Sequence, residues 1–171
     1  MPARVLVFCR KSVAGLTPAM LVDELRNADL MTLAECLDLP GGESAAVKAM
    51  WKYFRLEEDD PRDIDGIELH WHKQHRPIQV RRGPPIPGEL EELREGLDKL
   101  KSKGAKRVRK HLEETVEVIE FEMGIPGSLD LAATISEVLA FFVAERGDGI
   151  VLFYNREFAA PDDRGATILK R

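Results

Sequence analysis

A proline- and glycine-rich segment near the middle of the chain constrains the fold more than any other feature. Residues 83–88 read Gly-Pro-Pro-Ile-Pro-Gly, and three prolines among six residues continue neither a helix nor a central strand. Regular structure must therefore stop here and restart. We expect an internal linker near residues 83–88, within a single domain that spans all 171 residues.

The first half of the chain predicts a strand, a helical region and a hairpin. Residues 4–8 form a short apolar run that is typical of a buried strand. Thr17 followed by Pro18 marks a helix start, since threonine caps helices and proline suits their first turn. Apolar and polar residues alternate over residues 67–72, and residues 78–81 supply the partner strand.

The second half repeats the order of strand and helix. A helix over residues 90–103 is expected to precede a strand over residues 116–123. In that strand both alternation phases are apolar, which predicts a bulge or a strand end near Val118. Ser128 is the expected cap of a strongly apolar helix, and an interior strand follows at residues 150–154.

These elements predict the α+β class, with a mixed β-sheet that carries helices on one or both faces. The two halves of the chain each supply a strand-helix-strand unit. Trp51, Leu139 and Phe142 are expected in the core, because each lies on an apolar helix stripe. Residues 167–169 predict a short edge strand.

Charge and apolar patterning exclude several function classes. Thirty acidic residues against 25 basic ones give a net charge of −5, which does not favour a nucleic-acid partner. The longest apolar stretch, residues 138–144, is far shorter than the roughly 20 residues of a membrane span. We also find no apolar signal region at the N-terminus, so we expect a cytoplasmic protein with Cys9 and Cys36 reduced.

An acidic run at residues 57–65 follows the predicted helix that carries Trp51. It holds six acidic residues in nine positions, in a proline-containing segment for which no backbone role is apparent. Such a run is either a solvated loop or a negative face for a basic partner. The predicted partner-binding residues are Glu57, Glu58, Asp59, Asp60, Asp63 and Asp65.

Three of the four histidines fall within six residues and form a candidate metal site. His70 and His72 would share one face of a strand, and His75 would join them from the adjoining turn. Glu68 is the only carboxylate expected on that face, and neighbouring Lys73 would repel a cation. We therefore expect no metal and no other cofactor, with an exposed polar strand face as the simpler interpretation.

Cys9 is the candidate nucleophile. It follows the first strand and precedes a loop and a helix, an order that resembles the phosphate loop of low-molecular-weight tyrosine phosphatases. That family has an arginine six residues after the cysteine, where this chain has Gly15. A buried cysteine at a strand end is the alternative interpretation.

The C-terminal half is similar to small acidic bacterial immunity proteins of toxin systems. The similarity rests on the segment from Glu117 through residues 147–152 to Phe158 and on the acidic turn at residues 161–163. It implies a protein that binds and neutralises a toxin whose surface is more basic. The leading hypothesis is therefore a non-enzymatic protein-binding module. The alternatives are a small enzyme or metal-binding protein that uses the histidines or Cys9, and a small-molecule-binding or structural domain.

Overall fold

The computed structural model describes residues 2–35, 37, 39, 41–124, 131–162 and 167–170. Over these residues the chain forms six helices and eight strands, which confirms the α+β class. The helices are α1 (Pro18–Asn27), α2 (Leu30–Ala34), α3 (Glu43–Tyr53), α4 (Pro87–Asp98), α5 (Lys103–Glu113) and α6 (Leu131–Gly147). The strands are β1 (Ala3–Cys9), β2 (Arg55–Glu57), β3 (Ile67–His70), β4 (Ile78–Gly83), β5 (Glu117–Met123), β6 (Gly149–Phe153), β7 (Glu157–Ala159) and β8 (Thr167–Lys170).

All eight strands belong to one sheet in the order β2-β3-β4-β5-β1-β6-β7-β8. Every strand pair among the described residues is antiparallel, so the expected mixed pairing is not found. A strand-helix-strand order usually gives parallel neighbours. Here β5 and β6, which α6 connects, are separated by β1, and β1 runs antiparallel to both. The insertion of β1 therefore removes the parallel contact that the element order suggested.

The larger core lies on the face of the sheet that α1, α2, α3 and α6 cover. Val5, Val7 and Phe121 are fully buried there. Leu139 and Phe142 of α6 pack into the same core, as predicted. Trp51 is only half-buried and packs at the periphery, so its prediction as a core residue is wrong.

A smaller core lies on the opposite face, beneath α4 and α5. Phe8 and Phe158 of the sheet pack there, with ring centroids 6.4 Å apart. Leu97 of α4 and Leu112 of α5 complete it. The sheet therefore has helices on both faces, and alternate residues of its central strands reach different cores.

The two cores explain why β5 is regular where a bulge was expected. Ile119 and Phe121 point into the larger core, whereas Val118 packs against the smaller one. The register of β5 against β1 is continuous from Glu117 to Met123. Both alternation phases can be apolar without a bulge, because each phase has its own helices to pack against.

Several boundaries differ from the sequence prediction. Gly83 still belongs to β4, and Pro87 already begins α4, so only three residues of the segment at 83–88 lie between them. The helix predicted over residues 90–103 ends earlier, at Asp98. A separate helix, α5, begins after Ser102, whose side chain accepts a hydrogen bond from the amide of Ala105. The short strands β2 and β7 were not predicted, whereas β8 confirms the edge strand. The predicted cap Ser128 lies outside the described residues.

Within the described part of the chain, no helix has both the length and the apolar character needed to cross a membrane.

Candidate functional site

The acidic run begins at the end of β2 and continues through the connection to β3, and three of its carboxylates stabilise local structure. Asp60 accepts hydrogen bonds from the backbone amide and the guanidinium of Arg62, at 2.9 and 3.1 Å. Asp63 accepts from the amide of Asp65 at 2.9 Å, and Asp65 accepts from the amide of Arg82 at 2.8 Å. The expectation that the fold needs none of the six acidic residues is therefore wrong for Asp60, Asp63 and Asp65.

Arg82 is the centre of an ion cluster that no sequence pattern indicates. Its guanidinium donates to Asp63 at 2.9 and 3.0 Å and also contacts Glu117. The arginine lowers the pKa of Asp63 below its usual range, mainly through these hydrogen bonds. Glu117 is 8% exposed and accepts a further 2.7 Å hydrogen bond from the amide of Val13. The cluster joins β4, β5 and the loop after β1, so we assign it a structural role.

The remaining acidic residues of the run are exposed. Glu57 ends β2 and forms an ion pair with Arg55 at 3.0 Å. Glu58 and Asp59 form no ion pair with any residue that the structure describes. That the six acidic residues bind a partner stays a prediction, for which Glu57, Glu58 and Asp59 are exposed.

The histidines separate into two groups. β3 ends at His70, so His72 does not continue the strand face on which it was expected. His72 and His75 lie in the following loop, with ring centroids 4.4 Å apart, and both pack against Trp71. His70 instead faces Glu57 and Glu68, with its Nε2 atom 3.4 and 3.3 Å from their carboxylate oxygens. The predicted set of three histidines is not brought together.

Cys9 is fully buried at the end of β1. Gly147 closes α6 against it, and a Cβ atom at that glycine would lie only 2.4 Å from the Cys9 sulfur. Burial raises the pKa of the Cys9 thiol to about 12, and the nearby carboxylates of Glu117 and Asp148 add to the shift. The thiol is therefore protonated at neutral pH, and the buried-cysteine interpretation describes it better than the nucleophile does.

A groove of about 810 Å³ lies beside α4, and residues of β1, β4 and β5 also line it. Half-buried apolar side chains line it from both sides: Leu6 and Val118 from the sheet, and Leu90 and Leu93 from α4. Ile86, just before α4, is 59% exposed at the same groove. The volume lies in the range of ligand pockets, and the groove is partly open to solvent.

The groove has an acidic margin on the helix side. Glu89 and Glu92 of α4 line it, and Glu91 and Glu95 are exposed on the same helix. None of these four glutamates forms an ion pair among the described residues, whereas Arg94 is paired with α5. No local sequence pattern indicates that an apolar groove lies beside these glutamates.

The basic groups at the groove are largely neutralised. Arg4 lies 3.4 Å from Glu120, and Arg82 belongs to the ion cluster described above. Arg81 is exposed on the open sheet face and forms no ion pair with a described residue. The groove therefore combines an apolar floor with an acidic margin.

A second cavity, of about 400 Å³, lies near the end of β1. Arg10 lines it and pairs with Glu114 at 2.8 Å and with Asp148 at 3.0 Å. His111 lines it too, and its Nε2 atom lies 2.8 Å from the backbone carbonyl of Phe8. The Nε atom of Arg10 is buried and has no hydrogen-bond partner among the described residues, whereas the terminal nitrogens of the same guanidinium are held by the two carboxylates.

Comparison with known proteins adds no functional assignment. No protein-family model matches the chain, and neither the curated proteins nor the solved structures contain a match. The function must therefore be inferred from the geometry of the chain itself.

Proposed function

We propose that this chain is a protein-binding module that takes a basic partner into the groove beside α4. The observation that carries the proposal is the combination of an apolar floor with a margin of unpaired glutamates. In its finer form, the proposal is that the module is an immunity-type inhibitor that neutralises a partner toxin, as the similarity of the C-terminal half implies.

The apolar floor supports a macromolecular partner. Leu6, Leu90, Leu93 and Val118 leave part of their surface in the groove, and exposed Ile86 extends it. Binding energy at protein interfaces is concentrated in a few side chains that fill such depressions. An apolar anchor of a partner protein would bury these side chains together with its own.

The charge of α4 supports a basic partner. Glu89, Glu91, Glu92 and Glu95 are exposed and lack ion-pair partners within the described residues, so a partner gains attraction without breaking internal pairs. Charges at the margin of an interface act mainly on the rate of association and on its salt dependence. Glu58 and Asp59, on the connection between β2 and β3, are also exposed and form no ion pair with a described residue.

The enzyme alternative is supported less well. Cys9 is buried and protonated, and the titratable groups at the groove are either exposed or already paired. Catalytic sites usually gather groups with strongly perturbed pKa values around a pocket. A binding surface agrees better with this groove.

The first experiment identifies the partner by site-specific photo-crosslinking. A crosslinking amino acid replaces Leu93 in the groove, and a second variant carries it at Lys52, an exposed position on α3 outside the groove. We expect a defined protein product from position 93 in cells of the source organism, and none from position 52. The purified partner then enters a kinetic assay.

The kinetic assay tests the acidic margin directly. The four glutamates of α4 are replaced by serine, and a matched control replaces four acidic residues elsewhere: Asp23, Glu35, Glu43 and Glu145. The α4 variant should associate about 10-fold more slowly at low salt, with a flatter salt dependence. The control removes equal net charge, so equal slowing of both variants would contradict a specific acidic surface.

The immunity refinement has its own test. The identified partner should be toxic when expressed alone, and co-expression of this chain should restore growth. A partner that binds the groove but is not toxic would refute the refinement while leaving the protein-binding proposal intact.

A further inference from the structure

The pairing of β2 with β3 creates a cluster of metal-binding side chains that the chain order does not reveal. Glu57 lies directly opposite Glu68 in the register of these two strands. His70 follows Glu68 by two residues and therefore points to the same face of the sheet. Opposed side chains in an antiparallel pair start only about 5 Å apart, so all three can reach a common point.

We propose that Glu57, Glu68 and His70 form a zinc-binding site at this edge of the sheet. One ligand atom from each residue lies within 4.8 Å of the other two. The Nε2 atom of His70 is 3.4 Å from Glu57 and 3.3 Å from Glu68. Zinc bonds of about 2.0–2.1 Å in a tetrahedron separate neighbouring ligand atoms by roughly 3.3–3.4 Å, which agrees with both distances.

The Nε2 atom of His70 supplies a second observation. It is buried and forms no hydrogen bond, although two carboxylate oxygens lie close to it. Both oxygens lie off the direction in which the ring nitrogen would donate. In a tetrahedral zinc site the ring nitrogen points at the metal. The line from that nitrogen to a neighbouring ligand atom then makes an angle of about 35° with the nitrogen–metal bond.

The outer oxygens of both carboxylates are already held. Gln79 donates a 3.1 Å hydrogen bond to one oxygen of Glu68, and Arg55 pairs with one oxygen of Glu57 at 3.0 Å. In each case the other oxygen is the one near His70. Hydrogen bonds of this kind orient the ligands of metal sites and typically strengthen binding 10- to 100-fold.

The ligand set favours zinc with one position open. Imidazole suits zinc, copper and nickel better than magnesium or calcium, which prefer sites made only of oxygen ligands. Glu57 is 54% exposed, so solvent reaches the cluster from its side. Three protein ligands with a fourth, water-filled position resemble the coordination of catalytic zinc more than that of closed structural sites.

This proposal reverses the sequence-based expectation that no metal is bound. That expectation counted Glu68 as the only carboxylate on the histidine face and included His72 and His75 as ligands. The structure instead adds Glu57 from β2 and places the other two histidines in a separate loop. The zinc site is independent of the partner-binding groove, so either proposal can fail alone.

The test is a zinc titration of the full-length, tag-free chain after removal of bound metal by a chelator. Competition with a chromogenic zinc indicator should show one tightly bound equivalent. Glu57→Gln and His70→Gln should each weaken binding at least 10-fold, whereas the double variant His72→Gln/His75→Gln should bind as the wild type does. Calcium and magnesium should not compete.

Additional variants distinguish the loss of a zinc ligand from the loss of the fold. Glu57 is exposed enough for Glu57→Gln to keep the fold, so its loss of zinc binding cannot be attributed to unfolding; circular dichroism checks this. Gln79→Ala should weaken binding about 10-fold through the orientation of Glu68. Bound Co²⁺ should give the intense visible absorption of tetrahedral coordination.

The proposal is overturned by either of two results. One is a wild-type chain that binds no equivalent of zinc. The other is zinc binding that survives Glu57→Gln and His70→Gln but disappears in His72→Gln/His75→Gln, which would assign the metal to the loop histidines.

Discussion

The two faces of the central sheet differ in how completely helices cover them. Four helices pack on one face and bury a continuous apolar core that extends from β3 to β6. On the other face, α4 and α5 cover β1, β6 and β7. The side chains that β2, β3 and β4 present to that face are polar. Helices thus close one face of the sheet, whereas the other face carries both the groove and the proposed zinc site.

The difference in helix coverage accounts for where the residues of the proposed binding sites lie. A residue on the fully covered face cannot change without a packing cost, because cores are close-packed. A residue on the uncovered face can bind a ligand or a partner without such a packing cost. Substitutions on the two faces should therefore differ in their cost to stability.

Removing a large side chain from the covered face should have the largest effect. Phe121 is fully buried in the centre of the sheet. Phe121→Ala should lower the free energy of unfolding by about 3–5 kcal/mol, since it removes a large apolar contact and leaves a cavity. Urea denaturation measures the loss. A change below about 1 kcal/mol would show that this core does not dominate stability.

Breaking the ion cluster at the edge of the larger core should cost somewhat less. Glu117→Ala leaves the amide of Val13 without its acceptor and Arg82 with only one carboxylate partner, so we expect a loss of about 2–3 kcal/mol. Glu117→Gln keeps an acceptor for the amide and should lose less. Equal losses in the two variants would mean that the hydrogen bond to Val13 contributes little.

The smaller core should respond to mild acid through His111. Burial lowers the pKa of this histidine below its ordinary value of 6.5, so the folded state binds the proton less readily than the unfolded chain. Above pH 6.5 the histidine is neutral in both states, and its full contribution to the free energy of unfolding is present. As the pH falls from 6.5 toward the folded-state pKa, the unfolded chain binds the proton first, so this contribution to the free energy of unfolding is lost. Thermal melts between about pH 7.5 and 5 should show the decline.

The matched variant for this pH effect is His111→Gln. Its amide can still donate to the carbonyl of Phe8 but does not titrate. The variant should therefore show a smaller decline in melting temperature over the same pH range. Parallel declines in both proteins would assign the effect to another group.

The uncovered face should give the smallest effect. Val80 and Arg81 are neighbours on β4, but Val80 is fully buried and Arg81 is exposed. Arg81→Ala should change the free energy of unfolding by no more than about 0.5 kcal/mol, whereas Val80→Ala should cost about 2 kcal/mol. If Arg81→Ala were as destabilising as Val80→Ala, the difference between the two faces would not hold.

Sequence patterns predicted much of the fold, because they depend on contacts between near neighbours. The cap at Thr17 and the helix start at Pro18 were correct, since both act within one turn. The hairpin of β3 and β4 was also predicted correctly from alternation. β2 was missed because three residues are too few to show a period, and the bulge predicted near Val118 was wrong because alternation does not show how many faces are covered.

The candidate sites were predicted less well. Of the six acidic residues proposed to bind a partner, three hold local structure through hydrogen bonds that no spacing rule indicates. The groove beside α4 depends on packing between residues far apart in the chain, such as Leu6 and Leu93. The metal-ligand candidates changed for the same reason, since the strand register joined Glu57 to Glu68.

The sequence by itself determined the types of most elements, the α+β class and the position of the break before α4, because propensity, alternation and proline geometry act within a few residues. Only the tertiary structure decided the antiparallel strand order, the second covered face, and the meeting of Glu57, Glu68 and His70. Those features depend on which distant segments pack together, and the free energy of that choice is shared among many weak contacts that no local pattern records.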